Sequence, residues 1–220
     1  MKIAVVGGTG HCGRGFILHW SREHDIIIGS RDAEKAKKYS EEIMDYLGNH
    51  GVKAEVAGMD NGSAIASSDL VVLAVPYRFV ESVTKDLEEN YSDQIVISLV
   101  VPMSRVEDHF EYTPPSQGSA ALLVKDLLPS TVKNVSAFHT ISFTVFQDLD
   151  RPLSGDVVIC GDDKASKKVV ADLVSVVEDL RPLDGGPLKM AAQVEGLTPL
   201  LLNISRLNNI KDAGISVIEG

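Results

Sequence analysis

Val5-Val6-Gly7-Gly8-Thr9-Gly10-His11-Cys12-Gly13 is a glycine-rich turn that follows directly on an apolar run. Lys2 to Val6 predicts a short buried strand and Arg14 to Arg22 predicts a helix, so the turn stands at a strand-to-helix junction. Gly8, Gly10 and Gly13 fit the spacing G-x-G-x-x-G, and the junction is what gives that pattern weight. The first glycine permits the tight turn, the second lets backbone approach a pyrophosphate, and the third lets the helix pack closely on the strand. The helix N-terminus presents unpaired N–H groups and a positive dipole end to the anion. The stretch therefore predicts a dinucleotide site, with a plain glycine turn as the competing reading.

The next strand, Ile26-Ile27-Ile28, ends about 20 residues beyond the turn, where an NAD-binding chain places Asp or Glu for the ribose 2′-hydroxyl. This chain has Gly29-Ser30-Arg31 there, with Lys35 one helical turn on. A small residue, a hydroxyl and two cations suit a 2′-phosphate, since Arg31 can form two parallel bonds to phosphate oxygens and Lys35 adds a point charge. NADP is the expected nucleotide. Asp32 is either the displaced acid of an NAD site or the cap of the following helix. Arg31 and Lys35 also fit a plainly solvated helix start.

Strand and helix signals alternate along most of the chain, which predicts an α/β Rossmann-type fold with a mostly parallel sheet. Expected elements are a helix over Asp32–Leu47, a strand over Val52–Val56, a brief helix over Ala64–Ser67 and a strand over Asp69–Val75. A helix over Arg78–Glu89, a strand over Gln94–Val101, a helix over Ser119–Leu128 and a strand over Val132–Phe138 follow. Asp156–Cys160 reads as a strand that could join the same sheet. Lys164–Leu180 reads as a helix, and Arg181–Leu183 as a brief extension. Leu188–Asn209 is apolar on one side, with Thr198-Pro199 as the restart of a second helix. The division expected is a nucleotide-binding unit over 1–183 and a small helical lobe over 184–220, with a soft boundary.

At 220 residues and 44% hydrophobic, the chain can form one large core or a core with a small lobe. No apolar run reaches the ~18 residues of a membrane span, and no basic-then-apolar leader precedes the strand at Lys2. A soluble cytoplasmic protein is expected. Cys12 and Cys160 are far apart and lack a C-x-x-C pattern, which argues against disulfide and zinc frameworks; both read as small packed residues. No metal site is expected. The net charge of −10 disfavours nucleic acid, and it requires cations to gather locally around any polyanionic ligand. Candidates are Arg31, Lys35, Arg105, Lys189 and Arg206. Ligands of open parallel sheets bind at the carboxyl ends of the strands. Those ends carry Pro76-Tyr77, Pro102-Met103 and His139-Thr140-Ile141. Tyr77 fits either a ring-stacking or a packing role. His139 fits either an orienting group or a structural histidine.

Taken together, Gly7 to Gly13, Gly29-Ser30-Arg31 with Lys35 and Val101-Pro102-Met103-Ser104-Arg105 resemble the F420-dependent NADP oxidoreductase family, an archaeal-type group. The resemblance continues through Ser136 to Ile141, Cys160-Gly161-Asp162-Asp163, Leu180 to Asp184 and Leu197-Thr198-Pro199-Leu200. It implies two small-molecule partners, NADP(H) and the 5-deazaflavin coenzyme F420, with reversible hydride transfer between nicotinamide C4 and deazaflavin C5. By that likeness Thr9, Gly10, His11 and Cys12 cradle the pyrophosphate, and Ser30, Arg31 and Lys35 hold the 2′-phosphate. Tyr77 and Met103 border the nucleotide. His139, Ile141 and Phe143 approach the nicotinamide, and the helices near Glu195 to Arg206 close the deazaflavin pocket. Relatives often carry Pro and Ala where Ser142 and Phe143 stand. A homo-oligomer, dimer or tetramer, is expected.

Hydride transfer between two redox rings asks the protein to stack, orient and dry them rather than to move protons. No obligatory catalytic side chain is therefore expected. The competing enzyme is an NADP-dependent reductase of a carbonyl, imine or flavin. A short-chain dehydrogenase would need a tyrosine followed four residues later by lysine. The residues so placed after Tyr39, Tyr46, Tyr77, Tyr91 and Tyr112 are Ile43, His50, Glu81, Ile95 and Ser116. A non-catalytic NADP(H)-sensing module is the remaining alternative, with Leu197 to Ile204 as its docking face.

Overall fold

Ile3-Ala4-Val5-Val6 in β1 (Lys2–Val6) and Ile26-Ile27-Ile28 in β2 (Asp25–Ser30) are apolar on both faces, so both faces need cover. In the computed structural model, which describes residues 1–220, they are inner strands of an eight-stranded sheet. The first half of the chain adds α1 (His11–Trp20), α2 (Ala33–Asn49), β3 (Val56–Asp60), α3 (Asn61–Ala66), β4 (Leu70–Leu73) and α4 (Val80–Thr84). Next come β5 (Ile95–Ser98), β6 (Met103–Val106), β7 (His109–Tyr112), α5 (Ala120–Leu127), β8 (Lys133–Ser136) and α6 (Phe143–Phe146). The chain closes with β9 (Gly155–Gly161), α7 (Lys164–Ser175), β10 (Leu180–Gly186) and α8 (Ala191–Asn208).

The sheet order is β10-β9-β8-β5-β4-β1-β2-β3. Every pairing from β3 across to β8 is parallel. β9 turns antiparallel to β8, and β10 runs parallel to β9. The winding reverses between β1 and β4, and at that point a doubly wound sheet opens a ligand crevice at its carboxyl edge. One face is filled by Phe16, Trp20, Ile43, Leu47 and the α7 residues Val170, Leu173 and Val174. The other is filled by Ala64, Ile65, Val80, Val83, Leu123 and Val124. Phe16 is the hub of an aromatic cluster, with ring centroids 4.9, 4.8 and 4.9 Å from Trp20, Phe138 and Phe146.

Several elements depart from the sequence expectation. The third strand lies at Val56–Asp60 rather than Val52–Val56, because α2 runs on to Asn49 and the chain must climb back before pairing Val56 with Ile26. Gly58 makes the shift possible: a Cβ there would stand 2.2 Å from the Ala36 main chain of α2. The expected Arg78–Glu89 helix is broken into a 3-10 turn at Tyr77–Phe79, the short α4 and a second turn at Glu88–Asn90. No element is expected over Met103–Tyr112, where the structure has the hairpin β6–β7. Its turn uses Glu107 at φ 51, where Asn or Gly would have signalled a hairpin. Helix α7 stops at Ser175, and the brief extension is the seven-residue strand β10. Pro199 does not restart a helix. α8 is continuous, and Thr198 donates its hydroxyl to the His139 carbonyl at 2.9 Å instead of capping.

The tail beyond α8 returns to the sheet. The Asp156 N–H donates to the Ile215 carbonyl at 2.9 Å, and the Asp156 carboxylate accepts from Arg181 Nε at 2.7 Å, from Arg181 Nη2 at 2.8 Å and from the Val217 N–H. The Arg181 bonds first, then the Val217 bond, hold the Asp156 carboxyl at about 2, below its ordinary 3.8. A depressed carboxyl contributes stability that is complete above its unfolded value and is lost as pH falls through the folded one. Urea midpoints followed by Trp20 fluorescence are therefore expected to fall between about pH 4 and 2 in the wild type, with a shallower fall in Asp156→Asn. Identical profiles would refute the assignment.

Candidate active site

The site begins with a contact that side chains would forbid. Gly7 has φ +75, and a Cβ on it would stand 2.7 Å from the Ala74 carbonyl oxygen. A Cβ on Gly8 would meet the Val5 carbonyl oxygen at 2.7 Å, and one on Gly13 would meet the Gly8 Cα at 2.6 Å. The turn thus draws α1 flush onto the end of β1. Gly10 caps the helix without a side-chain bond, and no acidic residue occupies the first turn. The N–H groups of Thr9, His11, Cys12 and Gly13 make no hydrogen bond within the chain. Four donors at a positive helix end fit a pyrophosphate. α1 starts at His11, three residues before the expected Arg14, so His11 and Cys12 are its first-turn donors. The His11 ring is exposed, with Nε2 3.3 Å from Gln147 Nε2.

The end of β2 lies beside this turn, its Gly29 carbonyl accepting from the N–H groups of Gly7 and Gly8, both at 3.1 Å. Ser30 is buried and its hydroxyl oxygen accepts from the Asp32 N–H at 3.2 Å. Asp32 is the cap of α2, its carboxylate accepting from the Lys35 N–H at 3.1 Å. Arg31 and Lys35 are exposed, and neither forms an ion pair. The Arg31 guanidinium carbon stands 5.1 Å from the Phe79 ring centre. Phe79 is half-buried, and a phenylalanine in an expected helix carries no sequence sign of a contact with a cation.

The carboxyl ends of β4, β5 and β8 supply the other wall. Tyr77 opens the 3-10 turn and is half-buried; burial first, then Glu81 and Glu195, push its phenol up. Met103 starts the hairpin and is 40% exposed. His139 is 4% exposed, with no hydrogen bond at either ring nitrogen. Burial holds it at about 4; the Val100 main chain lies near enough to pull the other way without completing a bond. His139 is therefore an uncharged imidazole at neutral pH. It follows Phe138, a fully buried residue at φ 69, a conformation that costs a bulky side chain about 1–3 kcal/mol and needs surrounding contacts to persist. Ile141 is buried, and Phe143 opens α6 with its ring 5.9 Å from that of Phe16. A Cβ on Gly15 would collide with the Phe146 ring at 2.2 Å, so Gly15 is what lets α6 seat against α1.

No Asp or Glu stood out in the sequence, yet the fold singles out Glu195. Its side chain is wholly buried on α8. It accepts from the Ala120 and Ala121 N–H groups at the head of α5, both at 2.9 Å, and from the Tyr112 hydroxyl of β7 at 2.8 Å. Burial pushes its carboxyl up, opposed by these three bonds. Its one sequence signal is an acid on the apolar side of a helix. α8 is also tied to the hairpin through Asn203, which accepts from the Phe110 N–H and donates to the Phe110 carbonyl, both at 2.8 Å. Ser142 and Arg151, flanking α6, both bond Asp212 of the tail at 2.8 Å.

Neither cysteine is an activated thiolate: burial pushes Cys12 up and Cys160 up to about 11. No group of three or more His, Cys, Asp or Glu is placed to hold a metal ion. Surface hollows between α7 and β10, and beside Lys2, Asp25 and Ala54, include no residue of the glycine turn. Of the remaining expected cations, Arg206 pairs with Asp108 at 3.4 Å, while Arg105 and Lys189 form no ion pair. Glu195→Ala strands two buried N–H groups and is expected to cost about 3 kcal/mol or more in urea unfolding, Glu195→Gln less. An alanine variant as stable as the wild type would contradict the anchoring role.

Comparison with known proteins adds independent findings. The family model described as NADP oxidoreductase coenzyme F420-dependent matches residues 2–102. The F420-dependent NADP reductase of Methanocaldococcus jannaschii is 36% identical over 219 residues, spanning 99% of this chain and 98% of the relative. That of Methanothermobacter thermautotrophicus is 32% identical over 221 residues, spanning 99% and 94%. A solved structure described as a candidate F420-dependent NADP reductase from Arthrobacter sp. FB24 matches the fold with a TM-score of 0.80 at 22% identity, covering all of both chains.

Proposed function

The chain belongs to the coenzyme F420-dependent NADP oxidoreductase family, and we propose that it transfers hydride reversibly between NADP(H) and coenzyme F420 through the site just described. The observation that carries this reading is one arrangement. Unbonded N–H donors at the head of α1 lie beside an arginine and a lysine without counter-ions, where an NAD site would hold a carboxylate.

The free N–H groups of Thr9, His11 and Cys12 line the pyrophosphate cradle, with Gly10, whose own N–H is spent on the Gly7 carbonyl, leaving room for the anion's approach. Ser30 offers a hydroxyl and Arg31 and Lys35 the positive charge for the 2′-phosphate. Tyr77 and Met103 border the nucleotide. The segment from His139 to Phe143, buried as far as Ile141, excludes water from the nicotinamide, and its uncharged imidazole presents no competing cation. Nicotinamide and deazaflavin supply the hydride chemistry themselves, so the chain's residues bind, orient and desolvate. Residues 1–183 act as the nucleotide-binding unit, completed by the end of β10 at Gly186, and the rest of 184–220 acts as the helical lobe closing the deazaflavin pocket. No helix is long and apolar enough to cross a membrane. The exposed Leu200, Leu202, Leu207 and Ile210 favour a homo-oligomer.

Mixing the protein with NADPH and oxidised F420 is expected to change both absorbance bands together. Turnover only with a carbonyl, imine or flavin acceptor, or NADPH binding without any turnover, would overturn the reading. Arg31→Ala is expected to weaken NADPH binding about 10- to 100-fold and leave NADH within about twofold; equal affinity of the wild type for both nucleotides would defeat the NADP assignment. His139→Ala should retain measurable turnover, and wild-type kcat should show no inflection near pH 6.5 from this group, because it titrates at about 4. Total loss of turnover in a folded, NADPH-binding variant would make His139 obligatory.

A further inference from the structure

We propose that Arg78, held by Phe79, is a further cation of the 2′-phosphate site, so that Arg31 and Arg78 together set the preference for NADP. The inference rests on the reading of that site given under Proposed function and assigns it a residue that neither the glycine pattern nor the end of β2 points to.

The guanidinium carbons of Arg31 and Arg78 both stand over the Phe79 ring, at 5.1 and 4.7 Å from its centre. Arg31 comes from the end of β2, and Arg78 from the turn after β4. These strands lie on either side of β1 in the sheet. One ring therefore joins the two strand ends that flank the glycine turn. Pro76, just before the 3-10 turn, has φ −57 and ψ 145, and the Phe79 N–H donates to the Pro76 carbonyl at 2.9 Å, closing the turn that presents the ring.

Two like charges gathered on one ring repel, and here no carboxylate relieves them. Neither arginine forms an ion pair, although the chain carries ten more negative than positive charges and Arg151, Arg181 and Arg206 all have acidic partners. Stacking on the phenyl face offsets part of the repulsion, and it leaves the N–H edges of each guanidinium free for a planar, two-bond grip on phosphate oxygens. A dianion between them supplies the missing counter-charge. The 2′-phosphate is the group that the end of β2 is already built to meet. The competing role for Arg78 is to stack on adenine, which would serve NAD and NADP alike.

The test measures dissociation constants of NADPH, NADH, 2′,5′-ADP and ADP for the whole protein, wild type against Arg78→Ala, Arg78→Lys and Phe79→Leu. Arg78→Ala is expected to weaken NADPH and 2′,5′-ADP about tenfold and to leave NADH and ADP within about twofold. Arg78→Lys should fall between, and Phe79→Leu should reduce the same discrimination. Arg78 is exposed, so an unchanged melting temperature checks that the fold is intact. Equal weakening of all four ligands, or unchanged binding of 2′,5′-ADP, would overturn the proposal. A wild type without preference would overturn both this inference and the NADP assignment. Preference lost in Arg31→Ala but kept in Arg78→Ala would sink this inference alone.

Discussion

The approach of α1 to β1 is the contact on which the site depends. Gly13 lies so close to Gly8 that a Cβ on Gly13 would force the helix away from the strand, while one on Gly8 would strike the Val5 carbonyl and distort the turn itself. With the helix flush, its first N–H groups emerge at the carboxyl edge of the sheet, beside the end of β2. Packing, not affinity for an anion, is what fixes those donors in place. Their direction is then a ready consequence of helix geometry.

A second constraint acts from the other end of the chain. α8 touches three parts of the molecule through polar side chains: Glu195 at the head of α5, Thr198 at the His139 carbonyl and Asn203 at the hairpin. Burying a carboxylate is costly, and here three donors compensate it. The same bonds fix the orientation of α8 and, through Thr198, the segment that follows β8. That segment contains the Phe138 turn in its left-handed conformation, which a loosely held loop would relax. The tail adds Asp212 on Ser142 and Arg151, so the neighbourhood of α6 is gripped by residues more than sixty positions later in the chain.

Electrostatics divides the surface unevenly. Arg151, Arg181, Lys125, Lys167 and Lys168 are matched with acids, whereas Arg31, Lys35 and Arg78 are not. In an acidic protein such unmatched cations create a local positive field within reach of about one Debye length. That field lies at the end of β2, beside the site proposed for the 2′-phosphate. The uncharged His139 adds no formal charge to the wall formed by the ends of β4, β5 and β8.

Local pattern was enough for the glycine turn and the β-branched strands, and it offered Asp32 as a helix cap, because each rests on a few adjacent residues and on backbone geometry. The absence of an acid after β2 was equally legible. Other features needed the tertiary structure. Nothing adjacent to Gly58 or Gly15 in the chain shows that Ala36 and Phe146 occupy the space that a side chain would take. The continuity of α8 through Pro199 depends on anchors on both sides of the proline. Glu195 gained its role because α5 brought two N–H groups to it across seventy-four residues of chain. Phe79 and Arg78 met Arg31 only because β4 and β2 lie on either side of β1. Sequence determines what a segment can do by itself; which distant groups it meets follows from sheet order and close packing.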